Sequence, residues 1–161
     1  MRFGDHHGSF HTSILALEAL AEVSRVGQPR DEVVSALARG REFFLAHRLF
    51  KSHRTGAIVN GSMTLLSFPP RWHYDILRGL DHFAATDAPW DDRFSDAIEM
   101  LMARCDSGGR WPVQHNHAGK VWFEMEKIGA PSRWNTLRSL RVLRWAQRVD
   151  PLQTTPPPAR L

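Results

Sequence analysis

Arg71-Trp72-His73-Tyr74-Asp75 places five chemically capable side chains in a row. An imidazole titrates near neutrality, so His73 beside the Asp75 carboxylate and the Tyr74 phenol makes a candidate acid–base set. About sixty residues on, Arg133-Trp134-Asn135 repeats the basic, aromatic and polar order, and Arg78 is matched by Arg138 at an offset of 60. Guanidinium groups fork onto carboxylate or phosphate, and the aromatic rings suit an apolar or sugar-binding wall. The candidate catalytic residues are therefore His73, Asp75 and Tyr74. The candidate ligand-binding residues are His11, Arg71, Trp72, Arg78, Glu124, Arg133, Trp134, Asn135 and Arg138. A structural alternative stands beside this reading: Trp72 and Trp134 pack between helices, while Asp75 and Asn135 cap them or bridge to neighbouring arginines.

Other clusters carry less. His6, His7 and His11 can gather at a helix start, and His115 and His117 share a side if their segment is extended, but neither group completes a metal-ligand motif. Cys105-Asp106 sits at a helix end. No metal site is expected and no motif identifies a cofactor. Asp91-Asp92 opens a helix, where acids ordinarily cap. Glu124 and Glu126 alternate on one side of a strand, if one forms, and otherwise face solvent as partners of Lys120 or Lys127. Arg138, Arg141, Arg144 and Arg148 form a stripe at helical spacing, but a single basic helix is a poor nucleic-acid footprint, and no nucleic-acid partner is expected.

The elements that must position these groups are helices. Residues 9–27 combine a Ser9 or Thr12 cap, an apolar face through Ile14, Leu17 and Leu20, and Gly27 as a stop. A second helix runs from Pro29 to Phe50, with acids in its first turn and basic residues towards its end. Arg71 to about Ala85 predicts a third, Asp91 to Cys105 a fourth and Ser132 to Val149 a fifth. Between the last two, residues 110–131 read as an extended excursion with a short strand over Val121–Met125. With 161 residues, 42% of them hydrophobic, the chain can build one core over residues 1–150, leaving 151–161 as a Pro-rich disordered tail. A net charge of +4 spread along the chain demands no polyanionic partner. One cysteine and no apolar run of eighteen residues point to a cytoplasmic protein with no transmembrane segment.

Self-comparison adds architecture. Tyr74-Asp75-Ile76-Leu77-Arg78-Gly79-Leu80 lies on Trp134-Asn135-Thr136-Leu137-Arg138-Ser139-Leu140 at an offset of 60, and His11 to Leu17 fits the template 63 residues earlier. Glu42 to His47 lies on Glu99 to Arg104 at an offset of 57. Two kinds of helix alternate, so hairpins must stack to bury their apolar faces. The stretch Ala97 to Trp111, ending Gly109-Arg110-Trp111, is similar to the Gln-Trp repeat of squalene and terpene cyclases, without the motif's Gln; Gly119 to Trp145 resembles uncharacterised bacterial proteins placed in the same superfamily, which includes protein prenyltransferase β subunits.

The resemblance implies an all-α fold, an α/α toroid whose inner helices line a cavity and gather their N-terminal groups at one rim. Roughly two and a half hairpins, where a closed ring of this kind uses about six, make only a partial, open toroid. The expected partners are a small-molecule or lipid-like ligand, and either a second copy of the chain or a missing N-terminal half. The acid motif with which such cyclases protonate an alkene has no counterpart here. The rival expectation is a non-catalytic helical scaffold that pairs with another arc.

Overall fold

A computed structural model describes residues 9–27 and 30–150. His6, His7, Pro29 and the tail 151–161 lie outside the described residues. The described chain is all-α, with helices α1 (Phe10–Val26), α2 (Asp31–Ala46), α3 (Ile76–Ala85), α4 (Ser95–Met102) and α5 (Arg133–Val149). Two 3-10 turns, Gly61–Thr64 and Asp92–Phe94, complete the regular structure, and no strand forms among the described residues.

Helices α1 and α2 pack as a hairpin, and α3 packs against both α4 and α5. Each buries one stripe: Phe10, Ile14 and Leu17 from α1, Leu37 and Phe44 from α2, Ile76, Leu77, Leu80 and Phe83 from α3, Leu101 from α4, Val142 and Trp145 from α5. Full burial of a side chain of this size is worth about 1.5–3 kcal/mol, so these residues supply most of the driving force. The offset of 57 between α2 and α4 has a direct counterpart, since Phe44 and Leu101 occupy matching positions and both are wholly buried. Polar ties join these two regions: Arg93 reaches Glu42, and Lys51 and Arg48 reach Asp96 at 2.8 and 3.2 Å.

Several expected boundaries move. Helix α2 ends at Ala46 rather than Phe50, because Arg48 and Leu49 take positive φ (+43° and +69°), and α4 is confined to Ser95–Met102 within the expected Asp91–Cys105, after the 3-10 turn Asp92–Phe94. Helix α3 starts at Ile76 rather than Arg71, because the Asp75 side chain caps it by accepting from the Arg78 backbone N–H at 2.8 Å, and Arg71 sits at φ +52°. A non-glycine residue in that left-handed region cannot continue a helix. The excursion forms no strand over Val121–Met125. It is pinned at its base instead, where Val113 N–H donates to Ala130 O (3.1 Å), Gly129 N–H to Val113 O (2.8 Å) and Ser132 N–H to Trp111 O (2.9 Å). Beyond that pin Trp122 and Phe123 stand in solvent, Trp122 at 89% exposure.

Candidate functional site

The segment before α3 and the start of the excursion lie side by side. Gln114 N–H donates to Leu66 O at 2.8 Å, the Gln114 side chain accepts from Leu66 N–H at 3.2 Å, and Ser67 bridges to His115. This pairing carries His115 and His117 onto the Trp72-His73 turn. The rings then form a column: Trp72 stacks on His73 with centroids 3.8 Å apart, and His73 stacks on His117 at 3.6 Å with planes 11° apart. His11, from the first turn of α1, meets the column edge-on, 5.5 Å from His73, and His115 meets His117 at 5.0 Å.

Beneath the column runs a hydrogen-bond chain. Ser67 Oγ donates to Asp75 Oδ2 at 2.9 Å, Ser67 N–H donates to the same oxygen at 3.2 Å, and His117 Nε2 lies 3.1 Å from Ser67 Oγ. Because the hydroxyl proton is given to the carboxylate, Ser67 Oγ accepts from His117 Nε2–H, which leaves the lone pair of a neutral ring on Nδ1. The order is carboxylate, hydroxyl, imidazole. A nucleophilic triad needs the imidazole between the other two, so this chain orients His117 rather than activating Ser67.

The structure brings His11, Trp72, His73 and Asp75 together with two residues not singled out as site candidates, Ser67 and His117. His11 Nδ1 accepts from the Tyr74 backbone N–H at 2.8 Å, while the buried Tyr74 hydroxyl donates to Leu49 O at 2.7 Å. Asp75 has one oxygen on the cap and the other on Ser67, so a ligand would have to displace those bonds to reach it. Arg78, 7% exposed, is saturated in the same way. It grips both oxygens of Glu18 at 2.8 and 2.6 Å and donates to Arg71 O (2.8 Å) and His73 O (2.7 Å), which holds the left-handed turn at Arg71. Arg138 makes the corresponding bond one helix further on, its Nε donating to Asp81 at 3.1 Å, but its Nη1 is buried without a partner. Glu18 and Asp81 stand at the 63-residue offset and Arg78 and Arg138 at 60, so the same rung is built twice.

The remaining candidates divide. Arg71 is exposed and its Nη1 donates to Ala118 O at 3.2 Å; Glu124 is exposed nearby. Both line a cleft of about 480 Å³ between the Phe68–Arg71 turn and residues 116–126, with Phe68, Trp122, Phe123 and Met125 as its apolar wall and Lys120 as its second cation. His117 is at its inner side. Trp134 stacks on Phe68 at 5.4 Å, half exposed. Arg133 takes part through its backbone, whose N–H donates to Glu126 at 2.9 Å. Asn135 is buried: Nδ2 donates to Pro112 O at 3.2 Å and Oδ1 has no partner.

Electrostatics keep the column uncharged. Burial, and then repulsion from His73, His115, Arg71 and His11, lowers the pKa of His117 to about 4. His73 is lowered by burial and then by His11, His115, Arg71 and Arg78, and His11 by burial and then by Arg78. Neutral rings stack without the repulsion that imidazolium pairs would meet. Among the described residues no group of three or more His, Cys, Asp or Glu has the geometry of a metal site. Nor is any helix long and apolar enough to cross a membrane.

Sequence spacing marked His117 through its alternation with His115, weighed there only as a metal-ligand pair, and gave no sign of Ser67, because the two come from loops 50 residues apart and meet only through the Leu66–Gln114 pairing. The sequence matches no protein-family model, no curated protein and no solved structure.

Proposed function

We propose that the chain is an open arc of the cyclase and prenyltransferase toroid type that binds a small or lipid-like ligand at the rim where α3 and α5 begin. One observation carries the reading: the 480 Å³ cleft joins an aromatic wall to two cations, Arg71 and Lys120, beside an oriented imidazole. Ligand sites combine mostly apolar surface with a few convergent polar groups in this way. An apolar tail on Phe68 and Trp122 with an anionic head on Arg71 and Lys120 uses the wall and both cations; of the two acids in the same lining, Glu126 is engaged by Ser132 and the Arg133 N–H, and the head must sit away from Glu124. If the site is catalytic, the His117 Nδ1 lone pair is the group that would take a proton.

The test is a titration with dodecyl phosphate below its micellar concentration, followed by tryptophan fluorescence. Saturable binding is expected, weakened about ten-fold or more in Arg71→Gln and Trp122→Ala, with thermal stability near wild type because both side chains are exposed. Absence of saturable binding, or equal affinity in both variants, refutes the reading. It would leave the scaffold alternative, which the exposure of Leu137 and Leu140 on α5 favours.

A further inference from the structure

A second cavity lies away from the rim. Helices α1 and α3 are tied near one end, where the Phe10 and Tyr74 rings sit 5.2 Å apart and Arg78 grips Glu18. Beyond that tie, α1, α2 and α3 enclose a wedge of about 640 Å³. Its acids are neutralised locally: Glu18 by Arg78, Glu22 by Arg25, Asp81 by Arg138 and Arg141, and Asp87 by Arg148. Arg41 of α2 is the exception. It makes no ion pair among the described residues, and its Nε is buried without a hydrogen-bond partner.

Facing the same wedge, His82 of α3 is 6% exposed and its Nε2 is also buried without a partner. Buried polar atoms are nearly always satisfied, because an unpaired one has lost its water without gaining a partner. Two such atoms, on two helices that line one cavity, are what a ligand's polar head would complete. The rest of the wall supplies Leu37, Ala21 and Ala85, small and apolar. We infer that this wedge binds a monoanionic amphiphile, a carboxylate on a short apolar chain, with its oxygens between Arg41 and His82 and its chain along Leu37.

Two observations select a monoanion. Arg41 is the one cation in the wedge not matched to an acid, so a single negative charge is balanced there and a second is not. His82, whose pKa burial and then Arg41 lower to about 4, presents a neutral ring at physiological pH and adds a hydrogen bond without a charge. The site is separate from the rim cleft, so either can fail alone.

Octanoate is the probe, titrated into the full chain and followed by the NMR resonances of the His82 ring and the Arg41 Nε–H, with octanol as the uncharged control. Saturable shifts of both groups with octanoate, and much weaker ones with octanol, are expected. Arg41→Gln should weaken binding roughly ten- to hundred-fold, as loss of a charge-assisted hydrogen bond does. Ala85→Phe, a change at an exposed helix position, should fill the wedge and block octanoate while leaving dodecyl phosphate at the rim unaffected. Equal binding of octanol, unchanged affinity in Arg41→Gln, or shifts confined to Trp122 would each overturn the inference. So would an absence of saturable shifts.

Discussion

Arg78 separates a ligand-holding role from a structural one. The guanidinium makes four hydrogen bonds, two to Glu18 at 2.8 and 2.6 Å and two to the carbonyls of Arg71 and His73 at 2.8 and 2.7 Å. Its side chain is 8% exposed and that of Glu18 38%. Arg78→Met keeps much of the stem's packing and removes every polar contact. Breaking a fully buried pair costs about 3–5 kcal/mol, but Glu18 can turn to water, so the cost falls at the low end, about 3 kcal/mol. For a chain of this length that lowers Tm by roughly 6–12 °C. Glu18→Gln leaves Arg78 its two carbonyls and should cost about 1–2 kcal/mol, and the double variant should reveal a coupling of about 1–2 kcal/mol between the two. Urea denaturation of the four proteins measures the cycle. A cost below about 1 kcal/mol for Arg78→Met, or no coupling to Glu18, would refute the structural assignment and return Arg78 to the ligand.

Acid should destabilise the fold before the carboxylates titrate. His82 has a folded pKa of about 4 against 6.5 for an ordinary histidine, so between those values the unfolded chain binds more protons; stability is complete above pH 6.5 and falls as pH drops towards 4, by roughly 3 kcal/mol at a side chain this buried. Arg41 disfavours the His82 cation, while Glu18 and Asp81 oppose that effect without cancelling it. Denaturation midpoints at pH 7, 5.5 and 4.5 should decline in the wild type and less steeply in His82→Phe; identical slopes would show that His82 is not the group responsible. Gly79→Ala tests packing against propensity. Alanine is the better helix former by about 1 kcal/mol, but its Cβ would clash with the Tyr74 hydroxyl and lie 3.2 Å from Leu49, so the variant should lose about 1–3 kcal/mol. Tyr74→Phe in the same chain should recover part of it, and a Gly79→Ala protein as stable as wild type in a thermal melt would contradict the clash.

Helices were legible because each carries its own apolar stripe and stop signals, as α1 does with Ile14, Leu17 and Gly27. The start of α3 was not, because it depends on Asp75 as cap and on Arg71 held at positive φ by a side chain seven residues on. Of the candidate residues, His11, Trp72 and His73 do come together as neighbouring rings. Their spacing did not show that Arg78 pairs with Glu18 and Arg138 with Asp81, although carrying the repeat alignment one turn further superposes those two acids. His82 and Arg41 had no signal at all: a histidine and an arginine on separate helices become a pair only when α2 and α3 face each other across a cavity.

The repeated rung also limits which helices could stack on either end of the α1–α3–α5 series in the same register. Each rung needs an arginine on one helix and an acid on the helix before it. Carried onto α5, the position of Glu18 and Asp81 falls on Arg141, and carried onto α1, the position of Arg78 and Arg138 falls on Leu15. A helix stacked on α5 in the same register would bring its arginine against Arg141, so like charges would oppose it where α3 and α5 attract. Two copies of this chain joined head to tail would set Leu15 against Arg141 and gain no rung. The edges differ in chemistry as well: α5 shows Leu137, Leu140, Arg141 and Arg144 to solvent, while the exposed side of α1 carries Leu15, Val23 and the Glu22–Arg25 pair. The two ion pairs thus set the register of α3 against α1 and of α5 against α3, and neither pair has residues at the matching positions of Leu15 and Arg141 to continue it.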